Sequence, residues 1–236
     1  MSSSAPAPAS PTRGLVVAID GPSGSGKSST SRGVANRLGL RYLDTGAMFR
    51  AMTWWLLRAG IDVHDADAVS ARVSEPGIES GTDPLAPTIV VDGVDVGVAI
   101  RGDDVTGAVS RVSSVPQVRA RLLQLQRNLI ADATTTGGIV VEGRDIGSVV
   151  APDAPVKVYL TADAAARAVR RAAEEGGSDV AATEASLLAR DTIDSGRATA
   201  PLVMADGAVH IDTTPYTLDE VIDLVVALVE AVEAPA

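Results

Sequence analysis

Short apolar runs alternate along the chain with longer segments in which apolar positions recur at helical spacing. The run at 15–19, LVVAI, ends at Asp-Gly and is typical of a strand buried on both faces of a parallel sheet. This alternation predicts an α/β fold with a doubly wound sheet of about five parallel strands. The other strands are expected at 41–44, 139–142, 156–160 and 208–211, and helices up to about residue 38 and at 46–59, 116–133, 163–175, 179–195 and 217–233.

The segment at 62–102 interrupts this alternation. It is rich in Gly and Pro in its middle and then gives two short β-rich runs on either side of Asp92-Gly93. An Asp-Gly pair between such runs is a hairpin signal. We therefore expect a small antiparallel insertion on the main sheet.

The composition narrows the class of protein. Hydrophobic residues make up 46% of the 236 residues and aromatic residues only 3%, so Ala, Val, Leu and Ile must build the core. The net charge of −10 argues against nucleic acid or an anionic membrane as a partner. The absence of cysteine excludes disulfides and thiolate chemistry.

The N-terminal residues 1–13 are rich in Ser, Ala and Pro, which predicts a disordered tail ahead of one domain at 14–236. The tail lacks the apolar core of a signal peptide, and no stretch reaches the roughly 18 apolar residues of a membrane span. A cytoplasmic protein is the default expectation.

Residues 21–28, GPSGSGKS, match the phosphate-loop pattern G-x-x-x-x-G-K-[ST] between a predicted strand and a predicted helix. Backbone N–H groups of such a loop point at phosphates, and the helix N-terminus adds partial positive charge. Lys27 is expected to reach the β- and γ-phosphates of a bound nucleoside triphosphate, and Ser28 to ligate Mg²⁺. The residues expected to bind this nucleotide (ATP, if the chain is a kinase) are Gly21, Pro22, Ser23, Gly24, Ser25, Gly26, Lys27, Ser28 and Ser29.

The loop alone leaves a switch GTPase, an ATPase motor and a small-molecule kinase open. The guanine-reading pattern N-K-x-D is absent from the sequence, and the chain is too small and acidic for a helicase core. Four further segments, at 43–50, 116–127, 142–148 and 189–202, carry arginines, and three of them place an Arg close to an Asp in the sequence. Transfer between two phosphates needs cations that grip both, and the planar fork of Arg suits this task.

The expected positions of several Arg and Asp residues also support transfer between two phosphates. Strand-end loops of a parallel sheet converge on the ligand crevice, so Arg144 and Asp145 are expected to face the phosphate loop. Arg190, Asp194 and Arg197 are spaced 4 and 3 residues apart and should share one helical face.

Together, IDGPSGSGKSS, YLDTGAMFRA, VEGRDIGSVV and RDTIDSGRATAPL resemble the bacterial cytidylate kinase (CMP kinase) family of nucleoside monophosphate kinases, in order and spacing. The resemblance runs from about residue 15 to the C-terminus. It implies a P-loop three-layer fold with a five-stranded parallel sheet, an NMP-binding insertion at about 62–102 and a LID at about 167–178. It also implies a monomer that uses ATP and Mg²⁺ to convert CMP or dCMP to CDP or dCDP.

The resemblance further implies residue roles. The acceptor phosphate would be held by arginines of three segments, the ribose by Arg190 and Asp194, and the cytosine by Ser110, Arg119 and Asp145. The residues expected to bind CMP are Asp44, Thr45, Arg50, Ser110, Arg119, Arg144, Asp145, Arg190, Asp194 and Arg197. The residues expected to be catalytic are Lys27, Arg50, Arg144, Arg167, Arg170 and Arg197. Of the LID arginines, Arg167, Arg170 and Arg171 are expected to close over the ATP phosphates.

Some alternatives stay open. The acceptor could be UMP or a non-nucleotide, or the chain could be an ATP-binding switch without phosphotransfer. Cytosine offers an amine donor that a carboxylate matches, whereas uracil would turn a carbonyl toward Asp145. Asp20 and Glu142 either orient water on Mg²⁺ or accept loop amides. Arg167 and Arg170 either contact ATP or pair with acidic residues of their own helix.

Overall fold

The computed structural model describes residues 14–174, Gly177, 179–196 and 202–233. The strands of this part of the chain are β1 (Leu15–Asp20), β2 (Arg41–Asp44), β3 (Ile78–Ser80), β4 (Ile89–Val91), β5 (Val94–Asp95), β6 (Gly138–Gly143), β7 (Val156–Thr161) and β8 (Val209–Asp212). Its α-helices are α1 (Lys27–Leu38), α2 (Thr45–Arg58), α3 (Ala66–Arg72), α4 (Asp103–Val112), α5 (Pro116–Thr136), α6 (Ala164–Glu174), α7 (Val180–Ser195) and α8 (Leu218–Glu233).

The main sheet has five parallel strands in the order β2-β6-β1-β7-β8. All residues of β1 and β6 are buried, as their continuous apolar sequences predict. Because these strands lie inside the sheet, their carboxyl ends open onto the crevice where ligands bind in such folds.

Helices cover both faces of the sheet, which gives three layers. Val16 and Ala18 of β1 belong to a core shared with α2 and α5. Val17 and Ile19 point to the opposite face and pack in a second core with α1 and α8. The period of two along the strand thus divides the hydrophobic residues between two cores.

The insertion is a separate antiparallel sheet of β3, β4 and β5. Asp92 and Gly93 both have positive φ, 50° and 80°, and form the turn between β4 and β5. This confirms the hairpin predicted from the Asp-Gly pair. The insertion is attached to the core by a hydrogen bond from Tyr42 N to Thr82 O (2.9 Å) and by one from Trp55 Nε1 to Asp92 Oδ2 (3.0 Å).

The predicted α/β class and five-stranded parallel sheet are confirmed. Two short helices, α3 and α4, were not predicted. In α4, Gly107 and three valines lower the intrinsic helix propensity, but the buried Val105, Val109 and Val112 hold the helix through packing. A single π-helical turn at Ile146–Val150 was also not predicted.

The proposed LID at about 167–178 falls largely within α6, and of its last four residues only Gly177 lies within the described part of the chain. Across the described residues, no helix is both long and apolar enough to cross a bilayer.

Candidate active site

The phosphate loop joins β1 to α1 and depends on three glycines. Gly24 and Gly26 have φ of +78° and +85°, a region that glycine adopts without strain. A side chain on Gly21 would collide with the carbonyl oxygen of Leu160 in β7. The loop can therefore curl tightly against the sheet, and α1 begins at Lys27 with its N-terminus directed at the cleft.

Lys27 is buried in this loop. Its Nζ donates to Pro22 O (2.6 Å), and among the described residues it forms no ion pair. The pKa of Lys27 is lowered to about 7, mainly by burial and secondly by the positive charge of Arg144. A bound phosphate would supply the missing countercharge, because an opposite charge at close range favours the ionised amine.

Glu142 lies at the end of β6 beside the loop and receives two hydroxyl donors. Ser28 Oγ donates to Glu142 Oε2 (3.0 Å), and Tyr42 donates to the other carboxylate oxygen. Burial raises the pKa of Glu142 to about 7, and the charge of Asp44 raises it as well. The Ser28 hydroxyl and this carboxylate are hard oxygen donors side by side, a set that suits Mg²⁺.

Asp20, at the end of β1, has a different role. Its two carboxylate oxygens accept hydrogen bonds from the backbone N–H groups of Ile146 and Gly147, both at 2.8 Å. Burial raises the pKa of Asp20 to about 6. Of the two possibilities open for each strand-end carboxylate, Asp20 accepts loop amides, whereas Glu142 faces the predicted metal ligand.

The acceptor side of the cleft is lined by arginines from separate elements. Arg50 of α2 donates to Ile100 O (3.1 Å) and Thr106 Oγ1 (3.0 Å). Arg144, just after β6, donates to Asp194 of α7 (3.0 Å). Arg190 lies one turn before Asp194, and its buried Nε has no partner within the described chain. All three arginines line one cleft with Lys27.

A buried ion pair lies in the same cleft. Arg119 donates to a carboxylate oxygen of Asp145 and, through Nη1, to Ser113 O (3.1 Å). The Arg119 guanidinium also lies 5.3 Å from the ring centroid of Phe49, within cation–π range. Ser110 lines the cleft nearby. This pair offers a fixed carboxylate and a fixed cation, the two groups that match the edge of cytosine.

Arg167 and Arg170 do not line this cleft. Arg167 is buried behind the phosphate loop, where its Nη1 donates to Ser23 O (2.9 Å) and Asp191 Oδ2 (2.6 Å). Arg170 donates to Oγ1 and O of Thr213, at 3.0 and 2.9 Å. Neither uses the acidic residues of its own helix in these bonds, and a direct contact with ATP stays a prediction for both.

Most of the residues predicted from the sequence to form the site line this cleft. Gly21, Pro22 and Ser25 do not line it, and Arg197 lies outside the described residues. The predicted residues that line it are Ser23, Gly24, Gly26, Lys27, Ser28, Ser29, Asp44, Thr45, Arg50, Ser110, Arg119, Arg144, Asp145, Arg190 and Asp194.

Two contributors, Arg101 and Tyr42, were not assigned from the sequence. Arg101 lines the cleft, and the Tyr42 hydroxyl donates to the Glu142 carboxylate. Arg171, which was expected with Arg167 and Arg170 to close over the ATP phosphates, also lines the cleft. Arg101 had no sequence signal beyond being a basic residue at the end of the insertion, because the fold alone brings it beside Arg50.

A phosphate loop at the end of a central parallel strand lines one cleft together with a second cluster of cationic side chains. This combination defines a P-loop phosphotransferase with two anion sites. The family model for cytidylate kinase matches residues 17–231. The chain belongs to the cytidylate kinase family.

Individual relatives agree with the family model. A cytidylate kinase of Streptomyces griseus subsp. griseus is 57% identical over 216 residues, which cover 92% of this chain and 93% of that protein. One of Corynebacterium glutamicum is 48% identical over 225 residues, covering 94% and 96%. A crystal structure of an uncharacterized protein from Eubacterium ventriosum shares the fold, with a TM-score of 0.51 and 13% identity over 93% of this chain and 99% of that one.

Proposed function

We propose that the chain transfers the γ-phosphoryl group of ATP to the phosphate of CMP or dCMP, giving ADP and CDP or dCDP. Family membership supports this reaction. The observation that carries it is the shared cleft, which Lys27 and the phosphate loop line together with Arg50, Arg144 and Arg190. A site for one nucleotide alone would have no use for the second cationic cluster.

On the donor side, the loop amides and the N-terminus of α1 hold the ATP phosphates, and Lys27 neutralises the β- and γ-phosphates. Ser28 and Glu142 would hold Mg²⁺. When bound, this ion supplies further charge neutralisation on the transferring phosphates. Tyr42 fixes the Glu142 carboxylate, because its hydroxyl donates to the oxygen that does not face Ser28.

On the acceptor side, Arg50 and Arg144 grip the phosphate of CMP, with Arg197 as a proposed third partner. Asp194 orients Arg144 through their 3.0 Å ion pair and, with Arg190, faces the ribose. The acceptor phosphate is already ionised at neutral pH, so no dedicated general base is needed. Catalysis then consists of positioning and charge neutralisation, and one well-placed arginine contributes about 10³–10⁵ in rate.

Base selection rests on the buried pair of Arg119 and Asp145. Asp145 accepts from the exocyclic amine of cytosine, and Arg119 donates to the acceptor atoms beside it. Uracil would place a carbonyl oxygen against the carboxylate and leave both acceptors without a donor. A mismatch of buried polar groups of this kind discriminates strongly between substrates.

We also propose that the enzyme is a monomer, which light scattering of the purified protein would test. We place the enzyme in the cytoplasm, where both nucleotide substrates are available.

An acceptor panel tests the function. ADP formation would be followed with ATP and, in turn, CMP, dCMP, UMP and AMP. We expect CMP and dCMP to be phosphorylated with kcat/KM at least tenfold above that for UMP and AMP. Equal rates for UMP would show a uridylate-tolerant kinase. ADP formation that does not depend on any acceptor would indicate an ATPase or a switch instead.

A further inference from the structure

Arg101 is held at a fixed place beside the acceptor site by its neighbours in the chain. It ends a single 3₁₀ turn, Ala99–Arg101, at the last part of the insertion. Ile100 of this turn is buried in the core, and its carbonyl accepts a hydrogen bond from Arg50 Nη1 at 3.1 Å. The backbone at Arg101 is therefore anchored to the side chain that is expected to bind the acceptor phosphate.

The Arg101 side chain has no countercharge. It is exposed, lines the cleft, and forms no hydrogen bond or ion pair with any described residue. Among the exposed arginines of the described chain, Arg37 and Arg72 form ion pairs with carboxylates, whereas Arg111 of α4 has no ion pair with a described residue but lies outside the cleft. An unpaired arginine at the rim of a cleft is available to a ligand.

The surroundings of Arg101 are strongly cationic. Arg50, Arg171 and Arg190 line the same cleft. The pKa of Arg50 is lowered to about 9, first by burial and then by the charges of Arg190, Arg171 and Arg101, in that order. Arginine stays protonated at neutral pH, so these guanidinium groups repel one another until an anion lies between them. A dianionic phosphate would relieve this repulsion for several arginines at once.

We propose that Arg101 binds the acceptor phosphate, so that the insertion contributes a guanidinium to the phosphate pocket. The proposal rests on the proposed function of the same cleft. Arg50, from the core, and Arg101, from the insertion, then bind the same phosphate group. Because the charge-assisted bond forms only with the phosphorylated nucleotide, Arg101 discriminates CMP from cytidine and contributes little to base recognition.

The test compares Arg101→Gln with Arg111→Gln. Arg111 is an exposed arginine of α4 outside the cleft and serves as the matched control. Calorimetry would measure the binding of CMP and of cytidine to each protein. We expect Arg101→Gln to weaken CMP binding about 10- to 100-fold, the usual effect of losing a hydrogen bond to a charged group. Cytidine binding should be unchanged, and the control should bind both ligands as the parent does.

Arg101→Lys provides a second variant, since it keeps the charge but loses the planar fork. We expect it to recover part of the lost affinity for CMP. Unchanged CMP binding by Arg101→Gln, or an equal loss for CMP and cytidine, would overturn the proposal. Failure of the proposed function looks different, because the parent protein itself would then show no CMP-dependent formation of ADP.

Discussion

At the scale of single residues, the site is built from buried charges whose partners come from distant parts of the sequence. Tyr42 and Glu142 are 100 positions apart, and Ser28 and Glu142 are 114 apart, yet both hydroxyls reach one carboxylate. Lys27 stands inside the loop without an acidic partner in the described chain. Lys27, Tyr42 and Glu142 are buried away from water, so a bound phosphate or metal ion interacts strongly with the charged groups among them.

The first residue-scale prediction concerns base recognition. Asp145→Asn removes the carboxylate that we propose accepts from the cytosine amine, and it breaks the buried pair with Arg119. We expect kcat/KM for CMP to fall at least about tenfold, since a hydrogen bond to a charged group is lost. ATP binding, measured by calorimetry, should be retained because the phosphate loop is untouched. Asp153→Asn, an exposed site outside the cleft, is the control, and equal CMP turnover in the two variants would refute the role of Asp145.

The second residue-scale prediction concerns the pH dependence of stability. Burial raises the pKa of Asp20 from 3.8 to about 6, so the folded state binds this proton more tightly than the unfolded state does. The stabilising contribution of protonated Asp20 is therefore present at low pH and is lost as the pH rises through about 6.

The side chain of the Asp20→Asn variant cannot ionise, so the variant does not lose stability at this site as the pH rises through about 6. Between pH 5 and pH 7.5, the free energy of unfolding of Asp20→Asn relative to the parent should rise by about 1.4 kcal/mol. Urea denaturation of both proteins at each pH measures the difference, and other titrating groups cancel in it. A constant difference across this range would show that Asp20 does not carry a raised pKa.

At the scale of elements, the sequence predicted those strands and turns that a short stretch of residues determines by itself. Nearly continuous apolar runs located β1 and β6, shorter segments between predicted helices located β2, β7 and β8, and the Asp92-Gly93 pair located the hairpin. The sequence did not predict α4, because its valines favour strands when read alone and become helical only through burial. The loop glycines and Lys27 follow from a motif, whereas the position of Arg101 depends on how the insertion packs onto α2.

The element-scale prediction concerns the contact between α1 and α8. A Cβ added at Gly33 of α1 would collide with Cδ1 of Ile222, which is buried in α8. We expect Gly33→Ala to lower the free energy of unfolding by about 1–3 kcal/mol, although alanine is the better helix former. Adding Ile222→Val removes the colliding methyl group. The double variant should regain part of this loss, and strict additivity in a double-mutant cycle would show that the two helices do not meet closely.

At the scale of the whole molecule, the cleft is formed by the core, the insertion and α7, and parts of it face solvent. Ser28 and Ser29 of the phosphate loop are exposed. Transfer to a nucleotide rather than to water requires water to be excluded at the moment of reaction. We therefore propose that the insertion at 62–102 and the LID at about 167–178 move toward the core when both nucleotides are bound.

Solution scattering tests this closure. An analogue that joins adenosine and cytidine through a chain of phosphates should lower the radius of gyration of the protein. ATP or CMP alone should have a smaller effect, because each occupies only one side of the cleft. A radius that is the same with and without the analogue would contradict closure.

In the proposed reaction, the phosphoryl group passes directly from ATP to CMP within one cleft. The sharpest test follows that phosphoryl group itself. The protein would be incubated with ATP carrying radiolabel in the γ-phosphate and with CMP, and the products separated by chromatography. We predict that the label appears in CDP, one labelled CDP for each ADP formed, and that little inorganic phosphate is released. Label that collects in inorganic phosphate at the same rate with and without CMP would contradict a shared cleft for donor and acceptor.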